Sequence, residues 1–184
     1  MGLVINVTAF KLGWLSSVFG GAQQLPWLGP LVVLIAISIH LLRAERPRSE
    51  FMLILSAGLM GAFFDSLLVA AGWVSYKSGQ FSAFIAPYWI ITMWMLFATT
   101  LNVSMRWMRG RPLLASAFGF VGGPLAYIAG HKIGGIQFVD QTTAIAMLAF
   151  GWAVMMPLLM RLGERLDGVS PDAPAGDVIG QRIS

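Results

Sequence analysis

At 184 residues the chain has room for one domain, and with 57% hydrophobic against 11% charged residues it is too apolar for a soluble one, since soluble domains carry about 25% charged residues. The absence of cysteine excludes disulfides, thiolate nucleophiles, cysteine-ligated zinc, iron–sulfur clusters and thiol–disulfide chemistry. The net charge of +4 gathers at the ends of apolar runs, which reads as topology signals beside anionic lipid and not as a nucleic-acid surface.

In chain order, the first apolar run extends from Leu3 to Gly21, contains Asn6 and Lys11, and is closed by Gln23, Gln24 and Pro26. No basic residue precedes it, which is not the pattern of a signal peptide. The second runs from Trp27 to Leu42 with Pro30 near its first turn, and ends at His40 and the basic stretch Arg43 to Arg48. The third, Phe51 to Val74, is apolar throughout except for Asp65. A polar loop with Tyr76 and Lys77 follows. The fourth extends from Phe84 to Trp107, the fifth from Pro112 to Gly130, and the sixth from Thr142 to Met160, bounded by Asp140 and Arg161.

The charges orient these runs. Nine of the twelve basic residues follow the second, fourth and sixth runs, Lys77 and Lys132 lie in the alternate loops, and Lys11 is inside a run. The positive-inside rule then predicts an all-α bundle of six transmembrane helices with both termini cytoplasmic. Residues 1–162 form its single domain. Residues 163–184, polar and rich in Pro, Gly and Asp, are expected to be a disordered cytoplasmic tail. No internal repeat is found, which counts against the inverted-repeat transporters.

Gly58, Gly61, Asp65, Leu68 and Gly72 follow one another at spacings of three and four, so they share one stripe of the third helix. A carboxylate at mid-membrane costs about 2.5–3.5 kcal/mol on insertion scales, so Asp65 is expected to face protein, with the glycines admitting a neighbouring backbone. At 1.5 Å per residue, Lys11 lies ~13 Å and Asp65 ~21 Å from the cytoplasmic end, close enough in depth for a Lys11–Asp65 ion pair. The alternative is a Lys11 that snorkels to the interface. On the fourth helix Thr92, Thr99, Asn102 and Arg106 share a face, either as a polar path or as hydrogen-bonding groups between helices. Trp89 and Trp107 suit the two interfaces, whereas Trp94 lies deeper as packing or as a pocket wall.

The fifth helix has two faces. Ala115, Gly119, Gly122, Ala126 and Gly130 make a small-residue stripe. Phe120, Pro124, Tyr127 and His131 make another, with Pro124 leaving the carbonyl of Phe120 without its helical donor. A pocket of Asp65, Tyr127, His131 and Asp140 is the sharpest site hypothesis, set against plain packing and interfacial anchoring. Its binding residues would be Asp65, Trp89, Trp94, Asn102, Tyr127 and His131. The two histidines fall at opposite membrane faces, so a bis-histidine haem or a two-histidine zinc site is not expected. No nucleophile elbow, phosphate loop, dinucleotide fingerprint or zinc-protease motif occurs, and neither metal nor cofactor is expected.

Several segments together carry a resemblance: INVTAFKLGW, GAFFDSLLVAAGW, PYWIITMWMLFATTLNVSMRW, GGPLAYIAG and FGWAVMMPLL. In order and spacing they are similar to the DUF2878 family, small bacterial inner-membrane proteins of uncharacterised function, over Asn6 to Leu159. Positions that match its pattern are Asn6, Trp14, Asp65, Pro87, Trp89, Trp94, Thr100, Asn102, Ser104, Trp107, Pro124, Tyr127 and Gly130. At the position of Lys11 the family is polar but not dependably lysine, so the resemblance does not imply the ion pair. It implies a bacterial inner-membrane location and, through genomic neighbourhood, a link to lipid metabolism. It carries over no catalytic residue.

Three readings follow. The first is an inner-membrane protein that binds a lipid or small apolar molecule, or assists a lipid-modifying enzyme. The second is a small proton or solute transporter that uses Asp65. The third is a membrane enzyme with Asp65, Tyr127 and His131 as acid–base groups, which lacks a nucleophile. Expected partners are membrane lipids, with a homo-oligomer or a partner membrane protein left open, and no nucleic acid.

Overall fold

The structure is a computed structural model that describes residues 2–169. Most of it is in six helices: α1 (Leu3–Ala22), α2 (Leu28–Leu42), α3 (Pro47–Ala70), α4 (Tyr88–Leu101), α5 (Pro112–Ile133) and α6 (Gln141–Arg165). Four of them, α1, α3, α5 and α6, are long and apolar enough to cross a membrane. With 15 and 14 residues, α2 and α4 reach only ~22 Å at 1.5 Å per residue, short of the ~30 Å hydrocarbon core.

Local chemistry sets the helix boundaries. Pro47 and Pro112 occupy the first turns of α3 and α5, where a missing N–H costs nothing. This moves the start of α3 upstream of the expected Phe51 and brings Glu50 inside the helix. Asp140 caps α6 by accepting from the Thr143 N–H at 3.1 Å, and the same threonine's hydroxyl holds its carboxyl below the usual carboxylate range. Gly134, at φ +96°, closes α5 in the left-handed conformation that glycine adopts without steric cost.

The expected fourth helix, Phe84 to Trp107, is shorter at both ends. Residues before Pro87 are loop, and the chain turns out of the helix at Asn102, followed by a single 3-10 turn, Arg106–Met108. Thr99 and Thr100 bond back to the carbonyls of Leu96 and Phe97, an alternative to helix continuation that β-branched hydroxyl residues favour. Arg106 Nε then takes the Asn102 carbonyl at 2.9 Å, placing a cation at the negative end of the helix.

The loops after α3 and α5 pair. Strands β1 (Val74–Tyr76) and β2 (Ile136–Phe138) form an antiparallel ribbon in the register Val74–Phe138, Ser75–Gln137 and Tyr76–Ile136. The ribbon lies at the end of the bundle where α1, α3 and α5 finish and α4 begins. Ser78 beside it bonds the Gly21 carbonyl at 2.8 Å, and Trp89 Nε1 bonds the Ser78 carbonyl at 2.9 Å. At the other end His40, Glu50, Asn102 and Gly168 meet. Successive helices therefore alternate in direction, with most of the basic residues at the end away from the ribbon.

Helix α6 continues through Gly163 to Arg165, and residues 167–169 pack against the bundle. The remainder of the expected tail lies outside the described residues.

Candidate functional site

Asp65 is fully buried. Its Oδ1 accepts hydrogen bonds from the hydroxyls of Tyr76 at 2.8 Å and Tyr127 at 2.6 Å, and its Oδ2 from Trp94 Nε1 at 2.7 Å. One carboxylate thus joins α3, β1, α4 and α5. Every partner carries a proton it can donate, so both oxygens of Asp65 are satisfied. In a low-dielectric interior such bonds are strong, and an unpaired carboxylate there would be costly.

Trp94 stacks on Trp152 of α6 with ring centroids 4.4 Å apart and planes 15° off parallel. Gly61 of α3 lies against the outer face of the first indole and Gly123 of α5 against the second, with no room for a Cβ at either. The glycine stripe of α3 does face the interior, but it seats side chains and not another backbone. Gly58 meets Met95, and Gly72 lies beyond the helix in a turn at φ +71°.

The Lys11–Asp65 ion pair is not formed. Lys11 is exposed on α1, and both oxygens of Asp65 are engaged by neutral donors on other elements. His131 and Asp140 are also absent from this cluster. His131 is exposed and its Nδ1 lies 3.1 Å from the Ile136 carbonyl, while Asp140 is exposed as the cap of α6. Of the Phe120–Pro124–Tyr127–His131 face, only Pro124 and Tyr127 turn inward. Trp89, expected at an interface, is buried beside Tyr76 with ring centroids at 5.6 Å.

The Thr92–Thr99–Asn102–Arg106 face is not a path among these residues. Thr92 and Thr99 bond carbonyls of their own helix, and Asn102 belongs to a second buried cluster. There Glu50, 0% exposed, accepts from Asn102 Nδ2 and the Gly168 N–H, each at 2.8 Å, and meets His40 Nε2 at 2.8 Å. Arg109 bonds Asn102 Oδ1 at 2.5 Å, and Arg106 and Arg109 hold Asp167 at 3.1 and 2.8 Å. Burial raises the Asp167 carboxyl, but the Arg109 hydrogen bond, the Val169 N–H and the two guanidinium charges outweigh it and keep it below the usual range.

Sequence reasoning missed Tyr76, read as loop, and Glu50, placed outside a helix. For Glu50 a signal was present: Pro47 followed by Ser49 and Glu50 has the composition of a helix start. For Tyr76 none was, because a three-residue strand carries too little alternation to be read.

An apolar cavity of about 270 Å³ lies between α1, α4, α5 and α6. Phe10, Trp14 and Val18 line it from α1, Met93, Trp94 and Phe97 from α4, Phe118, Gly122, Ala126 and Tyr127 from α5, and Trp152 from α6. Several of these, among them Phe10, Trp14, Gly122 and Phe118, are partly exposed on the outside of the bundle. Asp65 is not part of the lining, although its partners Trp94 and Tyr127 are.

An all-helical bundle with four helices fit to cross a membrane and carboxylates sealed inside it defines a membrane-embedded helical protein. The chain belongs to the DUF2878 family, described as a protein of unknown function, whose model matches residues 3–158. No curated protein and no solved structure matches it.

Proposed function

We propose that this protein is a six-span inner-membrane protein of bacteria, both termini cytoplasmic, that holds a lipid chain or similarly apolar molecule in the α1–α4–α5–α6 cavity. Presenting that molecule to a lipid-modifying enzyme is the natural use of such a site. The observation that carries the reading is the cavity itself. It lies close to the lower end of the ~300–1,000 Å³ range of small-molecule pockets, its lining is almost wholly apolar, and its half-exposed rim belongs to α1 and α5, two of the helices long and apolar enough to cross a membrane. Asp65 supports the site from behind: it fixes the hydroxyl of Tyr127 and the indole of Trp94, two of the walls.

The experiment uses Gly122. A Cβ there meets only the Phe118 ring, at 3.7 Å, so a side chain can extend into the cavity without disturbing a helix contact. Gly122→Leu should leave the protein folded and abolish co-purification of the molecule that mass spectrometry finds with the wild type. An unchanged set of bound lipids in the variant would refute the cavity as the site.

A further inference from the structure

The second carboxylate cluster has no part in the cavity, and its construction differs from that of Asp65. Asp65 is enclosed by side chains deep in the bundle. Glu50 is covered at the basic end by a short segment after α6, residues 167–169, whose Gly168 N–H is, among the described residues, one of three groups bonded to it. The ring of His40 completes the set. It is 1% exposed, its Nε2 is spent on Glu50, and its Nδ1 has no hydrogen-bond partner among the described residues.

The covering segment is held by polar contacts to exposed parts of the chain. The Gly168 carbonyl accepts from the N–H groups of Glu45 and Arg46 at 2.9 and 3.1 Å. Arg46 also bonds the Asp167 carbonyl, and Arg106 bonds the Val169 carbonyl at 2.7 Å. A short non-helical segment held by polar contacts at the surface opens at lower free energy than the packed bundle it covers. Residue 168 must be glycine for the fit, because a Cβ would lie 2.8 Å from Glu50 Cγ and overlap the Arg46 carbonyl. The segment follows the last residue matched by the family model.

We propose that residues 167–169 are a clasp over the buried His40–Glu50 pair at the basic end of the bundle, and that its opening gives the Glu50 carboxyl access to water and its protons. With the clasp shut, the pair is sealed between α2, α3 and the turn after α4. Opening withdraws one donor from Glu50 and uncovers both side chains to water. The charged groups that face the pair are Arg109, through Asn102, and the Arg106–Asp167–Arg109 set that anchors the clasp. Glu45 approaches it through its backbone, and Arg46 through both its backbone and its guanidinium, which bonds the Asp167 carbonyl. The proposal is independent of the cavity reading.

A water-soluble carbodiimide with an amine nucleophile modifies a carboxyl group that has taken up a proton and can be reached from water. Applied to the full chain in mildly acidic buffer, it should spare Glu50 in the wild type. In Gly168→Val, and in Asp167→Asn, modification of Glu50 should rise on the order of tenfold, as expected when local opening becomes easier by about 1.4 kcal/mol. Asp65 should stay unmodified in both, since it lies in the bundle and not under the clasp. Peptide mass spectrometry reads the two sites together. The proposal is overturned if Glu50 stays protected in both variants, or if Glu50 and Asp65 become reactive together, which would mean that no separate clasp exists.

Discussion

Asp65 is bonded by three groups that each donate to it, and that decides what a conservative substitution would do. Asparagine matches aspartate in shape, and from the sequence alone Asp65→Asn looks nearly isosteric. In the cluster it does not, because one side of an amide is a donor. If the amide nitrogen faces Trp94, two N–H groups oppose each other. If it faces the tyrosines, their hydroxyls must turn to accept and their protons lose the Asp65 oxygen. A buried polar group left unsatisfied costs about 1–3 kcal/mol. Asp65→Asn should therefore lower the thermal midpoint in detergent more than Tyr76→Phe or Tyr127→Phe, each of which leaves two donors in place. A variant that melts with the wild type would show that the carboxylate is not bound as described.

At the scale of elements, the same face of α3 shows what a sequence conveys and what it withholds. The spacing of Gly58, Gly61 and Asp65 assigns them to one buried face, and all three are buried. What fills the space above the glycines depends on the rotamers and depths of residues on other helices, and spacing is silent on that. The occupant of Gly61 is an indole, in a stack that runs Gly61, Trp94, Trp152, Gly123 from α3 to α5. Charge pattern and apolar runs located six helices, because burial against lipid selects composition over whole segments. The ends of α4 and the β1–β2 ribbon escaped, since they are set by a few side-chain bonds and a tertiary pairing. Overpacking a core costs about 1–3 kcal/mol. Gly61→Ala should be destabilised to that degree, whereas Gly122→Ala, which borders the cavity, should melt with the wild type. Equal midpoints for the two in detergent would rule out the stack.

Across the whole molecule, α3 carries a buried carboxylate near each end, Glu50 and Asp65, ~22 Å apart at 1.5 Å per residue. One is tied to the ribbon side and the other to the basic side, so the orientation of α3 decides which of them faces the cytoplasm. The proposed topology has to account for α2 and α4, which are shorter than the hydrocarbon core. Because the chain has no cysteine, single cysteines can be placed without background at exposed positions flanking each short helix. Gln23 and Arg48 flank α2; Lys77 and Arg111 flank α4. In whole cells an impermeant thiol reagent should label cysteine at Gln23 and Lys77 and spare it at Arg48 and Arg111. If α2 does not cross, Gln23 and Arg48 will behave alike. If α4 does not cross, Lys77 and Arg111 will. Either result would remove the six-span arrangement, and labelling of both arginine positions with neither of the others would invert it and place the His40–Glu50 clasp outside the cell.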